Sequence, residues 1–195
     1  MSKLAYTTAN LSDIQLKEQG NQLFVLRKFD EAVGCYTKAI IKNPNNATFF
    51  TNRALCYLKL KRWQLACQDC RRALDIDSNL LKAHFFLGQC LIGMELYDEA
   101  IKHLQRAFDL SKEQKQNFGD DITSQLRLAR KKRWSLLEEK RICHEIELQS
   151  YLNKLMKEDM DRLLEGLKLD DNVTDHELRE KQQEIEQQCV SITCS

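Results

Sequence analysis

Residues of like size recur at a spacing of 34. Gly20, Ala54 and Gly88 keep that step, as do Ala32, Ala66 and Ala100, then Ala39, Ala73 and Ala107, and the aromatic residues Phe29, Trp63 and Tyr97 follow it too. A period of this size is the mark of one supersecondary unit stacked on copies of itself. Small side chains recur where two helices must approach closely, and bulky ones recur where the gap is filled. The unit is therefore a helix-turn-helix pair, and three copies run from about residue 13 to 114. One proline, Pro44, and six glycines leave long runs of Leu, Ala, Lys, Glu, Gln and Arg, all good helix formers. The chain is predicted to be all-α.

Each unit divides at a turn. In "LRKFDEA" and "MELYDEA", Asp30 and Asp98 are expected to be N-caps whose side-chain oxygens accept from the open N–H groups of the second helix. "KNPNNAT" carries Pro44 and Asn46, which close one unit and cap the next.

This register resembles the tetratricopeptide repeat. That family's small eighth residue falls on Gly20, Ala54 and Gly88, and its two alanine positions fall on the other two sets. Its proline falls only on Pro44, with Ser78 and Lys112 at the equivalent places. The resemblance implies an α-solenoid of three repeats whose first helices line a concave surface open to an extended peptide.

Polar residues on those first helices are the candidate binding groups: Lys17 and Asn21, then Asn52 and Lys59, then Lys82. Lys17 and Asn21 are four apart and share a face, while Leu23 and Phe24 turn toward packing. Asparagine is poorly suited to a helix interior, so two of them there point to another use. Cations and amide donors converging from successive helices suit an anion, best a chain-terminal carboxylate beside an acidic side chain.

The same set is similar to the dicarboxylate clamp of tetratricopeptide co-chaperones, which hold the acidic EEVD tail of the 70 and 90 kDa heat-shock chaperones. Phe86 stands where the usual clamp arginine would be. "KEQGNQLF", "TNRALCYLK", "CRRALDID", "KAHFFLGQC", "YDEAI", "KEQKQNFGDDI" and "KKRW" resemble the CHIP family of co-chaperone ubiquitin ligases, over about residues 16–160. That resemblance implies a clamp at Lys17, Asn21, Asn52 and Lys82, apolar peptide contacts from Phe24, Phe85, Phe86 and Phe118, and a hydrogen-bonding role for Asp121. Core packing is the competing role for Phe24 and Phe86.

The expected domains are a flexible N-terminus (1–12), three repeats (13–114), a capping and long amphipathic helix (115–170), and a short second helix with a divergent tail (171–195). Leu148, Leu152, Leu155, Met160, Leu163, Leu164 and Leu167 form an amphipathic stripe that needs a partner surface. Gly166 and "LDDNVTDHE" are expected to break this helix, and Thr174 with Glu177 to form a capping box opening the second. "RLARKKRW" is a local basic run, read as a solvated helix face in preference to a nuclear-import or anion-binding patch. In the resembled family the helical hairpin, a short coiled coil, supports a homodimer and a U-box recruits the conjugating enzyme. No U-box follows in these 195 residues, so the chain alone is expected to lack ligase activity, and the short second helix weakens the expectation of a dimer.

Other functions fit less well. Lys plus Arg is 30 against 29 for Asp plus Glu, and a net +1 gives no global field for nucleic acid or an anionic membrane. There is no apolar run fit for a signal peptide or a membrane span, so the chain reads as cytoplasmic with nuclear entry a further option. Eight cysteines sit singly at apolar helical positions and are expected to be reduced core thiols; "CQDC" at 67–70 lacks a second pair at zinc spacing. His84, His103, His144 and His176 have no nucleophile pattern around them, and neither cofactor nor metal is implied. The expected role is chaperone binding in protein quality control. The alternatives are an active ubiquitin ligase and a scaffold for internal peptide segments.

Overall fold

The computed structural model describes residues 11–115 and 119–168, together with 176, 179, 180, 183 and 184. Its contacts divide the chain into two units, Met1–Ser135 and Leu136–Ser195. Helices α1 (Asp13–Val25) and α2 (Phe29–Lys42) form the first repeat, α3 (Ala47–Lys59) and α4 (Trp63–Ile76) the second, and α5 (Leu81–Gly93) and α6 (Tyr97–Glu113) the third. A final helix, α7, runs from Gly119 to Lys168. The described residues are all-helical, with the layout of a solenoid: each helix packs on the next from α1 to α6, and the first helices α3 and α5 also meet directly.

The 34-residue register is the core. Gly20, Ala54 and Gly88 are buried, and all six alanines of the other two sets have no exposed surface. Large residues fill the spaces between: Leu16 and Phe49 close over Ala39, while Tyr36 and Cys56 close over Ala32 with Leu23, Phe24, Phe29 and Val33 at the margin. A Cβ at Gly20 would lie 2.7 Å from the Tyr36 ring and one at Gly88 2.5 Å from Leu104 Cγ, so a side chain at either place would force its neighbour to shift.

The turns inside the repeats share a device that composition conceals. Arg27, Lys61 and Glu95, also 34 apart, adopt φ of 60°, 57° and 63°. Each lets the next residue's N–H donate back to the first helix: Lys28 to Leu23, Arg62 to Tyr57 and Leu96 to Leu91, all at 2.9 Å. Glycine is the usual residue in this left-handed conformation, so its absence hid the signal.

That geometry corrects the expected caps. The second helices begin at the aromatic residues, with Lys28 and Leu96 at the N-cap positions and no capping side chain. Asp30 and Asp98 lie inside the first turn, where a negative charge complements the helix dipole. They bind Arg62 at 3.1 Å and Arg133 at 2.7 Å. Asn46 does cap α3, accepting from the Thr48 N–H at 3.0 Å. A capping box that the sequence reading missed opens α1: Ser12 Oγ accepts from Gln15 N–H, and Gln15 Oε1 accepts from Ser12 N–H.

In α7, Ile122, Leu126 and Ala129 form a buried face. Beyond Ala129 the apolar residues Leu148, Leu152, Leu155 and Leu163 are exposed. Gly166 does not break the helix, which continues to Lys168; nothing crowds this glycine, and its cost of roughly 1 kcal/mol is too small to end 50 helical residues. Thr174 and Glu177 lie outside the described residues.

Candidate functional site

The first helices bring part of the proposed clamp together. Asn52 Nδ2 on α3 donates to Asn21 Oδ1 on α1 at 3.3 Å, across 31 residues of sequence. The same oxygen accepts from the Tyr36 hydroxyl at 2.8 Å. Tyr36 is 2% exposed, and burial pushes its hydroxyl well above the usual tyrosine range, keeping it a donor. With Oδ1 engaged, Asn21 presents its amide N–H groups, one of which donates to Glu18 at 3.2 Å. Lys17 Nζ reaches the same Glu18 oxygen at 3.5 Å. Two donors thus already converge on a carboxylate oxygen.

Further along, Lys59 stands exposed at the end of α3 and Lys82 exposed near the start of α5, neither bonded to another described residue. Each is a cation available to an incoming anion. Asp121 is exposed in the first turn of α7. Phe85 and Phe86 lie with ring centroids 5.8 Å apart; Phe85 is buried at 7% exposure, and Phe86 is half-buried. Phe24 meets Phe29 edge to face at 5.3 Å on the margin of the first-repeat core, so packing occupies part of its ring. Phe118 lies outside the described residues.

Sequence reasoning missed a buried ion pair. Arg53 Nε and Nη2 each donate to Asp69 at 2.7 Å, and Nη1 donates to Thr37 Oγ1 at 3.0 Å. Asp69 is 5% exposed. The fork joins α2, α3 and α4 and locks the second repeat to the first. Its signal was the acid inside "CQDC", where a charge interrupts an apolar stripe; the two cysteines drew the attention instead.

The cysteines divide. Cys35, Cys56, Cys67, Cys70 and Cys90 are buried free thiols, but Cys143 is exposed on α7, against the expectation of a core position. It falls in a stretch, residues 139–155, in which every residue is exposed, so its apolar register brings no burial. Cys189 and Cys194 lie outside the described residues. Burial raises the Cys56 thiol to about 12, and a hydrogen bond with Cys90, then burial, raises Cys70. Thiols so hard to ionise are poor nucleophiles. His84 and His103 meet Nδ1 to Nδ1 at 3.1 Å, with His84 Nε2 3.1 Å from the Ser78 carbonyl.

The family described as CHIP N-terminal tetratricopeptide repeat domain matches residues 129–193, and anaphase-promoting complex, cyclosome, subunit 3 matches residues 25–107. E3 ubiquitin-protein ligase CHIP of Arabidopsis thaliana is 42% identical over 98 residues, half of this chain and 35% of that protein. RNA polymerase II-associated protein 3 of Homo sapiens is 37% identical over 95 residues, 49% of this chain and 14% of that protein. The chain therefore spans about a third or less of these relatives. Among solved structures, the first TPR of Spaghetti (RPAP3) bound to HSP90 peptide SRMEEVD shares 33% identity and a TM-score of 0.57, covering 62% of this chain and 91% of that one. The second TPR domain of human RPAP3 in complex with HSP70 peptide SGPTIEEVD shares 27% identity and a TM-score of 0.55, covering 60% and 93%.

Proposed function

We propose, from the premise that this chain belongs to the tetratricopeptide-repeat family, that its first helices bind the acidic C-terminal tail of 70 and 90 kDa heat-shock chaperones through a carboxylate clamp. The observation that carries this reading is the convergence of Lys17, Asn21 and Asn52, joined directly by the Asn52 to Asn21 hydrogen bond. The structures of related domains with EEVD peptides support the ligand class. Lys59 and Lys82 supply further cations, Asp121 a polar contact, and the half-buried Phe24 and Phe86, with Phe85 packed behind Phe86, the apolar flank.

Each charge-assisted bond contributes roughly 1.5–3 kcal/mol. A few of them, less the cost of ordering a peptide, give binding of about −8 kcal/mol, or micromolar affinity. The test is fluorescence anisotropy with SRMEEVD as the free acid and as the C-terminal amide. The acid should bind at least about tenfold tighter, and Lys17→Ala or Lys82→Ala should each weaken it by a similar factor. Equal affinity for acid and amide refutes the clamp and favours a scaffold for internal segments.

A second reading rests on the similarity to the CHIP family at residues 129–193. On this reading residues 1–195 dock chaperones as a ligase of that family does and do not themselves transfer ubiquitin. Residues 1–195 added to a reconstituted chaperone-client ubiquitination reaction should then lower client modification, and autoubiquitination by the chain itself would overturn this. The exposed leucines of α7 suit a homodimer through the C-terminal helices, and sedimentation at a single monomer mass would count against it.

A further inference from the structure

The 34-residue register sets one more comparison. Sixteen residues after the small residues Gly20, Ala54 and Gly88, the second helices carry Tyr36, Cys70 and Leu104. All three are buried, at 2%, 0% and 0% exposure. Tyr36 crowds Gly20 as Leu104 crowds Gly88, so the third repeat packs over its glycine with no polar atom. The first repeat alone carries a hydroxyl there. A buried phenol that the fold does not require, and that ends 2.8 Å from a candidate ligand-binding side chain, has a use outside packing.

We propose that Tyr36 is a positioning residue of the carboxylate site: its hydroxyl holds Asn21 so that the amide nitrogen, and not the oxygen, faces the ligand. The inference rests on the clamp reading above. An asparagine amide can rotate end for end, and only one orientation offers donors to an anion. Tyr36 donates to Asn21 Oδ1, and Asn52 donates to the same atom at 3.3 Å. Both bonds pin the oxygen inward. Glu18 marks the outcome, since its carboxylate already accepts from Asn21 Nδ2 and lies 3.5 Å from Lys17 Nζ. Without the hydroxyl, the longer bond to Asn52 remains and the amide samples both orientations. Apparent affinity then falls with the fraction of molecules that present the donor.

The experiment compares the whole chain with Tyr36→Phe, Asn21→Ala and the double variant, binding SRMEEVD as acid and as amide. The expected result for Tyr36→Phe is a loss of about fivefold in affinity for the acid and none for the amide. In the Asn21→Ala background the same substitution should cost less than twofold, because the hydroxyl acts through Asn21. Tyr36→Leu, which copies the third repeat's residue over its glycine, serves as a second variant and should narrow the acid-to-amide ratio to the same extent. An unchanged ratio in Tyr36→Phe overturns the proposal, as does an equal loss with and without Asn21. If the unmodified chain itself fails to distinguish acid from amide, the clamp reading fails first, and this inference with it.

Discussion

Replacing Gly20 by alanine sets two effects of known sign against each other. Alanine in a helix interior is favoured over glycine by about 1 kcal/mol. Here, however, the new Cβ would stand 2.7, 2.9 and 3.0 Å from three Tyr36 ring atoms, where ordinary contact begins at 3.4 Å. The ring cannot swing aside, because Ala32 and Cys56 wall it in and its hydroxyl is bonded to Asn21. Helices α1 and α2 must separate instead, and overpacking of this kind costs about 1–3 kcal/mol. Net destabilisation should be about 0–2 kcal/mol, read from urea unfolding followed by far-UV circular dichroism. The decisive version repeats the substitution in a Tyr36→Cys background, which carries the residue found at the same register position of the second repeat. With the ring gone, Gly20→Ala should stabilise by about 0.5–1 kcal/mol. A higher urea midpoint for Gly20→Ala alone, or the same sign in both backgrounds, would refute the packing argument.

Other outcomes follow from single contacts. Arg53→Ala strands the Asp69 carboxylate at 5% exposure and should cost about 3–5 kcal/mol in urea unfolding, most of it recovered by Arg53→Met with Asp69→Leu. A loss under about 1 kcal/mol would show that water reaches Asp69. Lys61→Gly relieves a left-handed conformation at φ 57° and should stabilise the second repeat by about 0.5–1 kcal/mol; a lower unfolding temperature would contradict the turn geometry. Asn43 Nδ2 donates to Asp13 at 3.0 Å, and this bond, the largest cause, holds the Asp13 carboxyl below its ordinary value. The contribution of the pair is therefore present above the ordinary carboxylate value and fades as pH falls through the lowered one. Asn43→Ala should move the Asp13 titration, followed by NMR, upward, and an unmoved midpoint would argue against the bond.

The repeat was legible from residue spacing because stacking imposes one steric rule at each recurrence: two helices approach only where one lacks bulk. All nine small positions proved buried for that reason. Lys17, Asn21, Asn52, Lys59 and Lys82 could be named as candidates because polar residues on first helices stand out against that background. Two kinds of feature were not legible. The intra-repeat turns use Arg27, Lys61 and Glu95 at positive φ without glycine, since a six-to-one hydrogen bond offsets the strain, and helix starts consequently fell one residue before the expected caps. The Arg53 to Asp69 fork pairs residues sixteen apart on different helices, a relation that no helical period encodes.

The spacing of 34 by itself determined the architecture, the number of repeats and the helices that carry the candidate site, because period and side-chain volume are properties of the chain alone. Only tertiary structure decided which way an amide faces. Asn21 has the same composition in either orientation, and its donors point outward because a hydroxyl from α2 and an amide from α3 arrive at one oxygen. That convergence depends on distances between helices, which packing sets and sequence order does not.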